Sequence, residues 1–154
     1  MAINIGRVVA GGLLAGVVAN AVDFVTNNYV LGADWQAWAA QHNIDQATLM
    51  SGSVIATWTA VDFVIGILAV WTYAAMRPRF GAGVHTAFLA GLVIYLVPTV
   101  VLFGFTQMGM MSMDMFVKGS LGSIVSVFGA AIAGAAVYKE DATAAVPGPT
   151  AARA

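Results

Sequence analysis

The chain contains no cysteine, and only 8% of its 154 residues carry charge. Without cysteine there is no disulfide, no thiolate nucleophile and no thiolate metal site, which excludes membrane thiol-oxidoreductase chemistry. The shortage of charge excludes a water-covered surface, because a soluble domain is about a quarter charged. Here 60% of the residues are hydrophobic, and such a chain belongs in a bilayer. A net charge of -1, with no local cluster of lysines or arginines, also lacks the basic footprint of a nucleic-acid binder. The 17 glycines follow neither a phosphate-loop nor a dinucleotide pattern, since no strand and no GK[ST] accompanies them. Neither nucleic acid nor nucleotide is an expected partner.

What the chain does have is long apolar runs. A helix needs about 20 mostly apolar residues to span the hydrocarbon core, and four stretches qualify: 5–31, 54–76, 84–105 and 116–138. Their continuity lacks the alternation of barrel strands, so the spans are helices. The expected fold is an all-α, integral membrane four-helix bundle over 1–141, followed by a disordered tail, 142–154, of small residues and two prolines. The first run holds Asn4 and Arg7 and has no small-residue cleavage site before a polar mature protein, so it reads as a retained span. Arg7, Arg77, Arg79, Lys139 and Arg153 fall on one side and only Lys118 on the other, which predicts cytoplasmic termini. The inner loop RPRFGAG is short and contains Pro78, so a tight antiparallel hairpin is expected there. The first outer connection runs 32–53. Asp34 is an expected N-cap, and Trp35, Trp38 and Ala39 form one apolar face, which predicts a short amphipathic helix at the outer interface.

Lipid tails are as apolar as leucine, so spans associate by close backbone approach and polar contacts. Small residues at helical spacing are therefore informative. In the first span Gly12, Gly16, Asn20, Asp23 and Asn27 share a face. In the second, Thr59, Asp62, Gly66, Ala69 and Tyr73 do. In the third, Ala87, Ala90 and Gly91 precede Pro98, which should kink the helix and free a carbonyl. In the fourth, Gly119, Gly122, Ser126, Gly129 and Ala133 line up, with Ser123 and Ala130 nearby.

The pentapeptide AVDFV occurs at 21–25 and again at 60–64, placing Asp23 and Asp62 inside apolar runs. The first two spans are antiparallel, and counting from their outer ends puts both acids roughly 8 to 12 Å below that boundary at the helical rise. They could share one pocket with Asn20, Asn27, Thr59 or Trp58. A charge at mid-bilayer costs at least ~2.5 kcal/mol, so these side chains must face the bundle, find partners or hold a proton. Two carboxyls a few ångströms apart would titrate as a pair. Proton or cation coupling is one reading of this site; plain hydrogen bonding that fixes helix register is the other.

A second candidate is the outer loop FTQMGMMSMDMF, where Met108, Met110, Met111, Met113 and Met115 crowd together. Thioethers are soft ligands that suit Cu(I), and flexible methionines equally fill an interfacial turn. His85 lies near the cytoplasmic end of the third span, at least about 10 Å in depth from Asp62, and His42 lies on the outer segment. No Ser, His and Asp triad assembles at compatible depth, so no enzymatic activity is expected.

The segments NAVDFVTNNYVLG, YAAMRPRFGAGVHTA and AAVYKE resemble a group of small bacterial inner-membrane proteins of unknown function. The resemblance covers most of the chain up to Glu140. It implies a bacterial source and a four-span fold, and carries over no catalytic residue. The leading expectation is a non-enzymatic helix-packing protein, a subunit of a larger membrane complex or a homo-oligomer, because the small-residue stripes exceed the needs of one bundle of four. The alternative is a small proton- or cation-coupled transporter using Asp23 and Asp62.

Overall fold

The computed structural model describes residues 3–139, so the tail expected over 142–154 lies outside the described residues. Helices α1 (Ile5–Val25), α4 (Gly52–Phe80), α5 (Val84–Gln107) and α6 (Met113–Val137) form an antiparallel bundle; a π-helical turn, Thr26–Val30, extends α1, and the short helices α2 (Gly32–Gln41) and α3 (Gln46–Leu49) join it to α4. There is no strand among the described residues. Four helical stretches, Ile5–Val30, Gln46–Phe80, Val84–Gln107 and Met113–Val137, are long and apolar enough to cross a membrane. The fold is an all-α multi-pass bundle. One end carries both described chain ends; the other carries α2.

Local chemistry explains the element boundaries. The Asn4 side chain accepts from the backbone N–H of Arg7 at 3.0 Å and caps α1. Ser112 does the same for α6 through Met115, at 3.1 Å. That cap starts α6 at Met113, three residues before the sequence-based boundary, and moves Met113 and Met115 from loop to helix. Asp34 is not an N-cap: α2 already starts at Gly32, and Asp34 sits in its first turn, where a carboxylate favours the helix dipole. Pro78 does not break α4 into a loop either. It lies in the last turn, where its missing N–H removes one bond, and the helix continues to Phe80. The true stop is Gly81, with φ of 82°, a left-handed conformation that suits glycine. Its N–H bonds the carbonyl of Arg77 at 2.9 Å, and the buried Thr86 hydroxyl donates to its carbonyl at 2.7 Å. The hairpin between α4 and α5 is thus tighter than expected, with only 81–83 outside helix. Pro98 stays inside a continuous α5.

The bundle has few large side chains at its centre. Ala15, Ala19, Ala74, Ala87, Ala90, Ala130 and Val70 dominate the core. α1 packs on α4 and α6, and α5 rides on α6 and α4. Glycine makes this possible. A methyl placed on Gly66 would lie 2.6 Å from both the Gly12 carbonyl oxygen and the Gly16 nitrogen, and one on Gly12 would lie 2.6 Å from the Ile67 Cα. On the other flank, Gly11 and Gly134 are in mutual backbone contact: a methyl on Gly11 would sit 2.6 Å from the Gly134 carbonyl oxygen. Close backbone approach of this kind replaces hydrophobic drive as the source of association in lipid. The expected stripes of α4 and α5 face inward, and so does that of α1 as far as Asp23; Asn27, beyond it in the π-helical turn, is exposed. On α6 the buried line runs through Ser126, Ala130 and Gly134, so beyond Ser126 it follows Ala130 rather than Gly129 and Ala133.

At the end that carries Asn4 and Tyr138, the Arg77 guanidinium lies against two tyrosine rings, 5.8 Å from that of Tyr73 and 5.4 Å from that of Tyr138. Such cation–π contacts favour a planar guanidinium. The Tyr73 hydroxyl accepts from the Gly83 N–H at 3.1 Å, and the Tyr138 hydroxyl from the Asn4 N–H at 3.4 Å. One cluster therefore ties the α4–α5 turn to both described ends of the chain.

A carboxyl pair between three helices

Side chains on a helix lean toward its N-terminus. In the antiparallel pair α1 and α4, Asp23 therefore leans away from the α2 end and Asp62 leans toward it, which closes the offset between them. The register is set by Gly16 against Phe63 and by Asn20, whose amide donates to the Gly16 carbonyl at 2.9 Å and across to the Thr59 carbonyl at 3.3 Å. The result is that the carboxyls of Asp23 and Asp62 lie within hydrogen-bonding reach of each other. Asp62 is only 9% exposed and Asp23 is half-buried. The depth counted from the sequence predicts this meeting.

The sequence reading missed the third member. Ser126 on α6, 2% exposed, faces the Asp23 carboxyl. It stood among the packing residues and not among the polar site. The structure supplies what the sequence lacks: Gly122 lies against Thr26, and one turn from there in antiparallel helices pairs Asp23 with Ser126.

The other candidates fall in different places. Thr59 contributes its carbonyl, through Asn20. Asn27 is exposed, and its amide donates to the backbone carbonyl of Asp23 at 2.9 Å. Trp58 is 64% exposed. Gly12, Gly16 and Gly66 hold the α1–α4 contact, and Gly122 receives Thr26. Of the methionines, Met115 is buried at 4% exposure, Met111 is half-buried, and Met108, Met110 and Met113 are exposed. A thioether site would draw on the latter four. His85 is exposed, and His42 stacks on Trp38 with ring centroids 4.3 Å apart.

The seam between α1 and α6 is filled in layers from the carboxyl pair to the α2 end. Thr26, 8% exposed, lies on Gly122. Next, Leu31, 5% exposed, lies over Gly119. Above these runs α2, whose Asp34 carboxylate pairs with Lys118 at 3.1 Å, Lys118 also pairing with Asp114. The Trp35 indole donates to the Asn27 side-chain oxygen at 3.0 Å, and the Trp38 indole to the Met110 carbonyl at 2.9 Å. Ala39 of the same face is buried. The apolar face expected for α2 is the face that packs.

These features define a multi-pass helical membrane protein with an acid pair inside its spans. No known protein family, curated protein or solved structure matches the chain.

Proposed function

We propose that the carboxyl pair is the working part of the molecule: a proton- or cation-exchanging site in a small, non-enzymatic transporter. The observation that carries this reading is that Asp23 and Asp62 are each other's side-chain partners, with Ser126 as the third. An ionised carboxyl only accepts hydrogen bonds, so two of them stay in contact when a proton lies between them. A pair built only to fix helix register needs no second acid; an asparagine such as Asn20 already does that work in the next turn. The basic residues Arg7, Arg77, Arg79 and Lys139 gather at the end that carries Asn4 and Tyr138. That supports cytoplasmic termini.

The test is the double substitution Asp23→Asn and Asp62→Asn, which keeps hydrogen bonding and removes titration. The expected result is unchanged assembly in detergent with loss of pH-driven flux in liposomes. Absence of flux in the unaltered protein overturns the reading.

One further observation favours the subunit reading as a companion. Ser53, Ala56, Thr57 and Ala60 form a second small-residue stripe on α4, and all four are exposed. Stripes of this kind let helix backbones approach closely, so this face supports contact with another copy or another membrane subunit. Bulk added there would separate such partners and leave the monomer intact.

A further inference from the structure

We propose that α2, together with Leu31, is a releasable plug that controls access to the carboxyl pair from the α2 end of the bundle. The inference rests on the site reading above and adds how the site is regulated. Three observations carry it. First, the α1–α6 seam between the acids and that end is filled by Thr26 and then Leu31, both buried, and Leu31 is the residue that immediately precedes α2. Movement of α2 withdraws it. Second, the backbone of α2 packs sparsely, and mainly against the π-helical turn and α3, its neighbours in sequence. It is tied to the rest of the bundle by side chains: Asp34 to Lys118, and Trp38 to the Met110 carbonyl. Third, the strap is linked to the site itself. Trp35 donates to Asn27, and Asn27 donates to the carbonyl of Asp23. The π-helical turn that joins these groups is a geometry frequent at functional sites.

The closed state therefore depends on a partly exposed ion pair and two indole hydrogen bonds. Each contributes modestly and breaks singly. On the bundle side Asp34 faces Lys118, which also faces Asp114 on α6.

Because the chain has no cysteine, one introduced thiol reports access cleanly. In full-length protein reconstituted in vesicles, Thr26→Cys lies directly under Leu31. A membrane-impermeant maleimide added on the α2 side should label it slowly. Cutting the strap with Lys118→Gln and Trp38→Phe should raise the labelling rate by about tenfold, the factor that loss of one net hydrogen bond allows. The same thiol with an uncut strap should label faster as salt is raised, since screening weakens an exposed ion pair. The salt arm does not depend on the strap variants folding. Equal labelling rates with the strap intact, with the strap cut and across the salt range overturn the plug. The readout is independent of proton binding: gated labelling with no flux would overturn the transport reading alone, and flux with ungated labelling would overturn the plug alone.

Discussion

The two halves of the bundle are held together by different means. Toward Asn4 and Tyr138, α1, α4 and α6 meet mainly through backbone, below the Arg77 and tyrosine cluster: Gly12 and Gly66, Gly11 and Gly134 leave no room for a methyl group. Toward α2, the same helices meet through side chains: Asn20 to Thr59, Asp23 to Asp62 and Ser126, Thr26 against Gly122, then the strap. The third span is partly separated in that half too: from Leu96 to Phe105 only Thr99 is not exposed, and Phe103 still meets the Phe116 ring of α6 at 5.7 Å. A backbone interlock has no adjustable parts, and loosening it means separating whole helices. Side-chain links open one at a time, at about 1 kcal/mol each. The rigid half is the frame, and the chemistry lies where the frame gives way to adjustable contacts.

The hardest test of this contrast is Gly66→Leu. The added side chain would collide with α1 backbone on both sides of Gly66, and overpacking of this kind costs about 1–3 kcal/mol. A clear loss of thermal stability in detergent is expected, and an unchanged melting curve would break the contrast. Ala60→Leu should have a smaller effect of another kind. It lies on the exposed stripe of α4, so the oligomeric mass in mild detergent should fall while monomer stability holds. A mass that does not change removes the support for contact at that face. Smallest is Gly104→Ala, in the separated part of α5, where a methyl meets nothing within 4 Å. Removing a helix-interior glycine should raise stability by up to about 1 kcal/mol. A loss there instead would mean that this part of α5 packs more tightly than the rest of the contrast implies.

How far the sequence reveals this arrangement depends on the range of the forces involved. The four spans are legible because hydropathy acts over a whole helix. The meeting of Asp23 and Asp62 is legible because antiparallel spans and a fixed rise per residue determine depth. Ser126 as partner of Asp23 is not, because it depends on the rotation of α6 about its axis, which is set by Gly134 against Gly11 and Thr26 against Gly122. The π-helical turn after Val25 has no local signal; the two asparagines there satisfy the carbonyls of Asp23 and Phe24 at 2.9 and 2.8 Å. Pro78 misleads because proline ends helices only when the chain beyond it cannot continue, and Gly81 is the actual stop. Asp34 misleads because a carboxylate suits both a cap and a first turn, and Lys118, 84 residues away, favours the latter.

The tyrosine hydroxyl that joins Asn4 to Tyr138 has a topological consequence. It brings the start of α1 and the end of α6 to one point, so the four rods form a ring in which no rod is privileged as first or last. Circularly permuted versions, spliced from Lys139 back to Asn4 and opened at the left-handed Asn43, should fold to the same bundle, and two bundles can be fused head to tail with a short linker.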